Sequence, residues 1–330
     1  MRLLLHCMAL LPRLLSGRLT LDQAPGLAAE AGLDGVEWLE RLMPAYTVRD
    51  WQALAKAQEA AGSRAAALSL DLVVDGSPRL RAETVDRAKG VLALCPVLGV
   101  SAVRVGLAGR GLCTTRLLLA VDRLAGGRRR QERPLGAAAR LVWRWTAGAG
   151  RRAGGGPPAE GLLQRAAWSL EPLARQAADL GLALGVENHP GPCHRPQDLA
   201  ELLDLARAGS RDEHELSHQG WSQRAAAAQG RSLGACLDTG NLPPGQDPEE
   251  AAALLAPRAV HVHFKPGGPG GPGEGGAMDR RTQAALVAGL KAAGYQGLVS
   301  LEPARGGDPL EQAKAAAGLF RELWEAAPGP

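Results

Sequence analysis

Residues 233–265 read LGACLDTGNLPPGQDPEEAAALLAPRAVHVHFK, and their order fixes an architecture. An apolar run, 233–237, stops at Asp238. A Gly, Asn and Pro loop follows. Asp247 then stands as a cap, with Pro248 in the first helical position, where its missing N–H costs nothing. The helix runs to Leu255, Pro257 ends it, and 259–264 form a second short strand. Asp238 and His263 therefore fall at the same end of two successive strands. A carboxylate and an imidazole delivered together are what a shared metal or substrate site requires.

The same rhythm extends outward in both directions. A helical pattern closes on Gly or a turn, and a short strand then ends in a polar residue. Gly is favoured there because it takes a left-handed backbone without strain. Strands are expected at 3–10, 36–38, 64–71, 102–105, 182–187, 233–238, 259–264 and 298–302. Helices are expected at 21–31, 48–61, 82–98, 161–180, 197–208, 248–255, 281–293 and 309–325. Eight strands alternating with eight helices predict an α/β fold, a closed (β/α)8 TIM barrel in one domain spanning 1–330. An open doubly wound sheet would want a Gly-rich turn after its first strand, and 11–14 read Leu-Pro-Arg-Leu.

Residues 1–17 admit two readings. Arg2, an apolar run broken by His6 and the lack of any acid before Asp22 suit a targeting segment. They also suit the first barrel strand, which nothing else in the chain supplies. Two stretches break the rhythm and read as flexible insertions, 110–158, rich in Arg and Gly, and 209–230, rich in Ala and polar residues.

The net charge of +4 belongs to the first of these. Residues 110–152 hold eleven Arg against two acids, and the rest of the chain has 27 basic and 32 acidic residues. A nucleic-acid surface does not follow from an Arg-rich insert alone. Aromatics make up only 3% of the chain, so the core must be built of Leu, Val and Ala. Five cysteines, an odd number with no regular spacing, suit a reducing compartment and predict a cytoplasmic protein. No apolar run is long enough to span a membrane. Neither nucleic acid nor a membrane is expected as a partner, and a homo-oligomer is admissible.

In a barrel the residues ending each strand face the mouth. Here they are Glu37, Asp71, Arg104, Glu187, Asp238, His263 and Glu302. Glu187, Asp238, His263 and Glu302 come from the last four strands. Three carboxylates and one imidazole make a divalent-metal set, with oxygen-rich chemistry suited to Mn²⁺, Mg²⁺ or Co²⁺. His261, two residues before His263, points to the same face one layer deeper and reads as a packed or supporting histidine.

The segments 185–191 (GVENHPG), 237–241 (LDTGN), 261–265 (HVHFK) and 294–302 (GYQGLVSLE), with 32–37 (GLDGVE) and Gly273-Glu-Gly275, resemble the xylose isomerase-like barrel superfamily. Within it the resemblance is to the sugar phosphate isomerase/epimerase group. It implies that Glu187, Asp238, His263 and Glu302 bind a divalent metal, Mn²⁺ first. It also implies that Glu187 and Glu302 are the catalytic pair, flanking the substrate carbon. Asn241, His194, Lys265 and Glu37 are then the candidate substrate-binding residues, Glu37 by supporting the mouth through hydrogen bonds. Two positions depart from the pattern. Pro266 stands where many members have Asp after the Lys, and Asn241 stands where ketose epimerases carry His.

The activity implied is a metal-dependent isomerase or epimerase of a sugar, sugar acid or keto-polyol. A lyase of the inosose dehydratase type starts with the same proton abstraction and is the alternative. An endonuclease IV-type hydrolase needs further histidines from early strands, and this chain has none between His6 and His189. A non-catalytic barrel would not need the four-residue set.

Overall fold

The computed structural model describes residues 1–43, 47–108, 158, 161–212, 232–266, 279–303 and 307–329. Eight parallel strands close into a barrel in sequence order. They are β1 (Arg2–His6), β2 (Gly35–Leu39), β3 (Ala65–Val73), β4 (Val100–Ala108), β5 (Ala183–Glu187), β6 (Leu233–Asp238), β7 (Ala259–Phe264) and β8 (Leu298–Leu301). β1 pairs with both β2 and β8, so 2–6 are a barrel strand. That strand is shorter than expected. After His6 the chain turns into a 3₁₀ helix, Cys7–Leu10, and then α1 (Leu11–Leu15). His6 itself makes this turn, accepting the Met8 N–H at Nδ1.

The remaining described helices are α2 (Ala24–Glu30), α3 (Val48–Ala60), α4 (Pro78–Leu94), α5 (Leu162–Asp179), α6 (Pro196–Asp212), α7 (Pro248–Leu255), α8 (Arg280–Ala292) and α9 (Pro309–Ala326). Five start on a short polar side chain that accepts a first-turn N–H: Thr47, Ser77, Asp247, Asp279 and Asp308. Pro78, Pro248 and Pro309 follow three of these caps at the position where an N–H would be wasted. Residues 209–212, expected to begin an insertion, continue α6. The rest of 209–230, and 110–158 apart from residue 158, lie outside the described residues, as do 273–275.

The main core lies between barrel and helices, and is Leu, Val and Ala with a few aromatics such as Trp38, Trp51, Phe264 and Phe320. A separate small cluster, Leu4, Ala65, Ala67, Ala102 and Leu298, fills the base of the barrel interior. Alternate residues of a strand share a face. Continuing up the inner faces from that base gives His6, Glu37, Ser69, Arg104, Glu187, Cys236, Asp238, His261, His263 and Ser300. The barrel is thus apolar at its base and ionic toward the C-terminal mouth.

The strands approach closely where side chains are missing. A Cβ on Gly35 would fall on the Ala65 carbonyl oxygen of β3, which is backbone and cannot move aside. Gly90, exposed within α4, has nothing within 4 Å of its Cβ position. Gly35→Ala should therefore cost about 3 kcal/mol or more, at the upper end of overpacking penalties, or abolish soluble expression. Gly90→Ala should stabilise by up to about 1 kcal/mol through helix propensity. Urea unfolding of both variants checks this, and a Gly35→Ala midpoint equal to wild type would mean the strands are spaced differently.

Candidate metal centre and active site

β6 and β7 pair so that Asp238 lies opposite His263, and β5 pairs with β6 so that Glu187 lies opposite Cys236. The ligand atoms of Glu187, Asp238 and His263 all lie within 4.8 Å of one another. His263 Nδ1 is 3.1 Å from Glu187 Oε1 and 3.7 Å from Asp238 Oδ2. All three side chains are buried. Asn188 holds two of the contributing strand ends together. Its amide donates to the Asp238 carbonyl at 3.0 Å and accepts the Asp238 N–H at 2.6 Å.

Asp238 is divided in its bonding. Oδ1 accepts the Gly240 N–H at 2.7 Å. Lys265 Nζ forms an ion pair with Oδ2 at 2.6 Å, and no hydrogen bond of regular geometry reaches this buried oxygen among the described residues. Burial pushes the Asp238 pKa up, against the pull of the Lys265 ammonium. Two carboxylates and an imidazole converging within 4.8 Å suit a divalent cation, and the donor set is the mixed N and O set such cations take.

Glu302 follows β8 at the mouth and is not within that three-residue cluster. It is joined to it through Lys265, whose Nζ is 3.6 Å from Glu302 Oε2 and 3.3 Å from Asn241 Oδ1. Burial opposes the charge on Glu302, but the Lys265 ammonium brings its pKa down to about 2, so it is ionised at neutral pH. Lys265 is held in place by the absence of a side chain at Gly240, where a Cβ would lie 2.5 Å from Lys265 Cδ.

Glu187 is more tightly held. The Arg104 guanidinium donates to Oε2 through Nε at 3.0 Å and through Nη2, while Nη1 donates to Asp71 Oδ1 at 2.7 Å. Arg41 pairs with the other Asp71 oxygen. A Cβ at Gly106 would press into Asp71 Oδ1 and lie 2.6 Å from Arg104 Nη1, so this ion pair needs glycine beneath it. Burial works against ionisation of Glu187, but Arg104 and the nearby His263 hold its carboxyl well below the usual range.

Glu37, expected among the substrate contacts, is fully buried below the mouth. Its oxygens face Ser69 Oγ, His261 Nε2 at 2.9 Å, His263 Nε2 at 3.0 Å and His6 Nε2 at 3.5 Å. His261, fully buried, also has Ser300 Oγ 3.2 Å from its Nε2. Its pKa is lowered, by burial first.

Two candidate substrate contacts sit at the rim with unsatisfied polar atoms. Asn241 Nδ2 and His194 Nδ1 are each buried without a hydrogen-bond partner among the described residues. Burial lowers the His194 pKa, so the ring is neutral at pH 7.

Sequence reasoning treated His6 only as a break in an apolar run and gave Cys236 and Ser69 no part in the site. The signal was available. His6 ends β1 as Glu37 lies in β2, and the two are register partners. Cys236 and Ser69 lie two residues before Asp238 and Asp71 on the same inward faces.

The chain was compared with known proteins. No curated protein matches it in sequence. Among solved structures it is similar to an L-ribulose 3-epimerase (18% identity, TM-score 0.63, 98% of this chain and 94% of that one). It is similar to a D-allulose 3-epimerase from Methylomonas sp. in complex with D-allulose (15%, TM-score 0.61, 98% and 97%). It is also similar to the IOLI protein with a binding zinc atom (15%, TM-score 0.64, 100% of both chains). Identities this low establish a shared fold. The family model described as xylose isomerase-like TIM barrel matches residues 25–323, nearly the whole chain. With the closed eight-stranded barrel, this establishes that the chain belongs to the xylose isomerase-like TIM barrel family.

Proposed function

We propose that the chain is a divalent-metal-dependent isomerase or epimerase of a sugar, sugar acid or keto-polyol, working by carboxylate-mediated proton transfer beside a carbonyl. The observation that carries this reading is the convergence of Glu187, Asp238 and His263 on one buried point, with the ionised Glu302 joined to it through Lys265. Structures with the same fold include sugar 3-epimerases and a zinc-containing protein, which supports the reading. Glu187, Asp238, His263 and Glu302 would hold the cation, Mn²⁺ by the oxygen-rich donor set, with Mg²⁺, Co²⁺ and Zn²⁺ as competitors. Such a cation supplies polarisation of the carbonyl and its neighbouring hydroxyl, which acidifies the carbon-bound proton between them.

The residues divide the remaining work. Glu302 is partly exposed and charged, so it takes the proton. Glu187 is the other carboxylate of the catalytic pair, but the two are not equivalent. Arg104 fixes one of its oxygens, and the other faces His263. It acts chiefly by holding its position and charge. Asn241 and His194 offer their unpaired polar atoms to substrate hydroxyls. Lys265 pairs with both Asp238 and Glu302, holds Glu302 ionised and offsets part of the burial cost of Asp238.

A lyase is the second reading. It begins with the same proton abstraction beside the carbonyl and differs in the departure of a β-hydroxyl. Incubating ketoses, inososes and keto acids with metal-loaded enzyme in heavy water separates the readings. Deuterium in a product of unchanged composition favours the isomerase. Loss of water with new ultraviolet absorbance favours the lyase. A full screen without any exchange removes both.

Glu302→Gln keeps an oxygen ligand but removes the base. It should retain bound metal while turnover falls by about 10²- to 10⁴-fold. Glu187→Gln strips a charge from a buried ion pair and should lose about 3 kcal/mol of stability, with weakened metal binding. Equal stability of the two variants in denaturant would contradict the assigned difference. Asn241→Ala removes one neutral hydrogen bond to substrate. It should raise KM by about 5- to 10-fold with metal content unchanged, on the scale of about 1 kcal/mol. A KM equal to wild type would take Asn241 out of the substrate site.

A further inference from the structure

Below the proposed metal pocket lies a second polar cluster that this function does not explain. Glu37 is fully buried, and three imidazoles and a hydroxyl surround it. Ser69 donates to Oε1. His261 Nε2 lies 2.9 Å from Oε2, and His263 Nε2 lies 3.1 Å from Oε1 and 3.0 Å from Oε2. His6 Nε2 lies 3.5 Å from Oε1. The His6 and His261 rings meet His263 edge-on, with centroids 4.9 and 5.2 Å away.

Two readings compete. His6, Glu37 and His263 offer ligand atoms within 4.8 Å of one another, which is also the look of a second metal site. The backbone decides between them. His6 Nδ1 accepts the Met8 N–H at 3.1 Å, so its lone pair is on Nδ1 and the ring proton of the neutral form is on Nε2. A nitrogen that carries a proton toward a carboxylate is a donor, not a ligand. His261 follows the same logic. Its Nδ1 has no partner among the described residues, and a bare Nε2 lone pair facing a carboxylate 2.9 Å away would be repelled.

We infer that Glu37 is a positioning residue for the metal centre, taking the Nε2 protons of His261 and His263, with the Nε2–H of His6 turned toward it, so that the Nδ1 lone pair of His263 is the one presented to the cation beside Glu187 and Asp238. The inference rests on the metal reading of the preceding section. Metal-ligating histidines commonly donate their other N–H to a carboxylate, which fixes ring orientation and tautomer. Here one carboxylate serves a ligand and two flanking imidazoles together. Its hydrogen-bonded donors, Ser69, His261 and His263, come from β3 and β7, and His6 of β1 stands 3.5 Å away, so the carboxylate is approached from three strands. Two carboxylate oxygens can accept all three donors. A Gln side chain cannot, because its NH₂ would face an N–H.

The test compares wild type, Glu37→Gln and Ser69→Ala, with Zn²⁺ as the probe. Zinc affinity is read by competition with a chromophoric chelator, and ring protons are read by long-range ¹H–¹⁵N spectra of ¹⁵N-histidine protein. Glu37→Gln should bind zinc about 10- to 100-fold more weakly. Ser69→Ala removes a donor to the same carboxylate without touching a ring, and should bind within about 3-fold of wild type, the bound on a non-positioning change. Wild-type spectra should place the proton on Nε2 of His6 and His261 without metal, and on Nε2 of His263 with zinc. At least one ring should move its proton in Glu37→Gln. If Glu37→Gln only lowers the unfolding temperature, with zinc affinity unchanged, its role is structural and the inference fails. A zinc-loaded wild type with the His263 proton on Nδ1 also overturns it. A wild type that binds no zinc overturns the metal reading itself, a result distinct from either.

Discussion

Taking carboxylates out of water is the constraint that shapes this barrel. Glu37 and Asp238 are 0% exposed and Glu187 is 2% exposed. An isolated buried carboxylate is costly enough that it would protonate unless compensated. Each of the three is met differently. Glu187 has a guanidinium, Glu37 has three imidazoles and a hydroxyl, and Asp238 has an ammonium on a long flexible stem. The first two arrangements are rigid. The third is an ion pair at 2.6 Å, without a hydrogen bond of regular geometry to that oxygen among the described residues. In the proposed metal centre Asp238 is therefore the carboxylate least committed to its neighbours, while Glu187 and Glu37 are held by theirs.

The two sides of the mouth are held by different groups. Arg104 is tied at both ends, to Glu187 and Asp71, and Asp71 is tied again by Arg41. On the opposite side, Lys265, Asn241 and Glu302 are linked by contacts of 3.3 to 3.6 Å.

Much of this was legible in the chain. The alternation of strand, helix and Gly gave the barrel because each unit carries its own local signals, such as Asp247-Pro248 before α7. Strand ends gave the mouth residues because a parallel barrel puts all those ends on one side. What lay beyond reach was contact across the barrel. Glu37 and His261 are 224 residues apart, and no local pattern says that β2 faces β7 through the interior. For the same reason Glu37 was expected among the substrate contacts, and Arg104 had no partner assigned. His6 was hidden because an apolar run that includes the end of a strand and the start of a helix has no visible boundary.

The metal centre is the claim on which the proposed chemistry stands. Anomalous X-ray scattering from crystals soaked in Mn²⁺ tests it most directly. The account predicts one strong peak at the mouth, bounded by Glu187, Asp238, Glu302 and Nδ1 of His263. A peak among Cys236, His261 and His263, or beside His6 and Glu37, or no peak at the mouth, would contradict it.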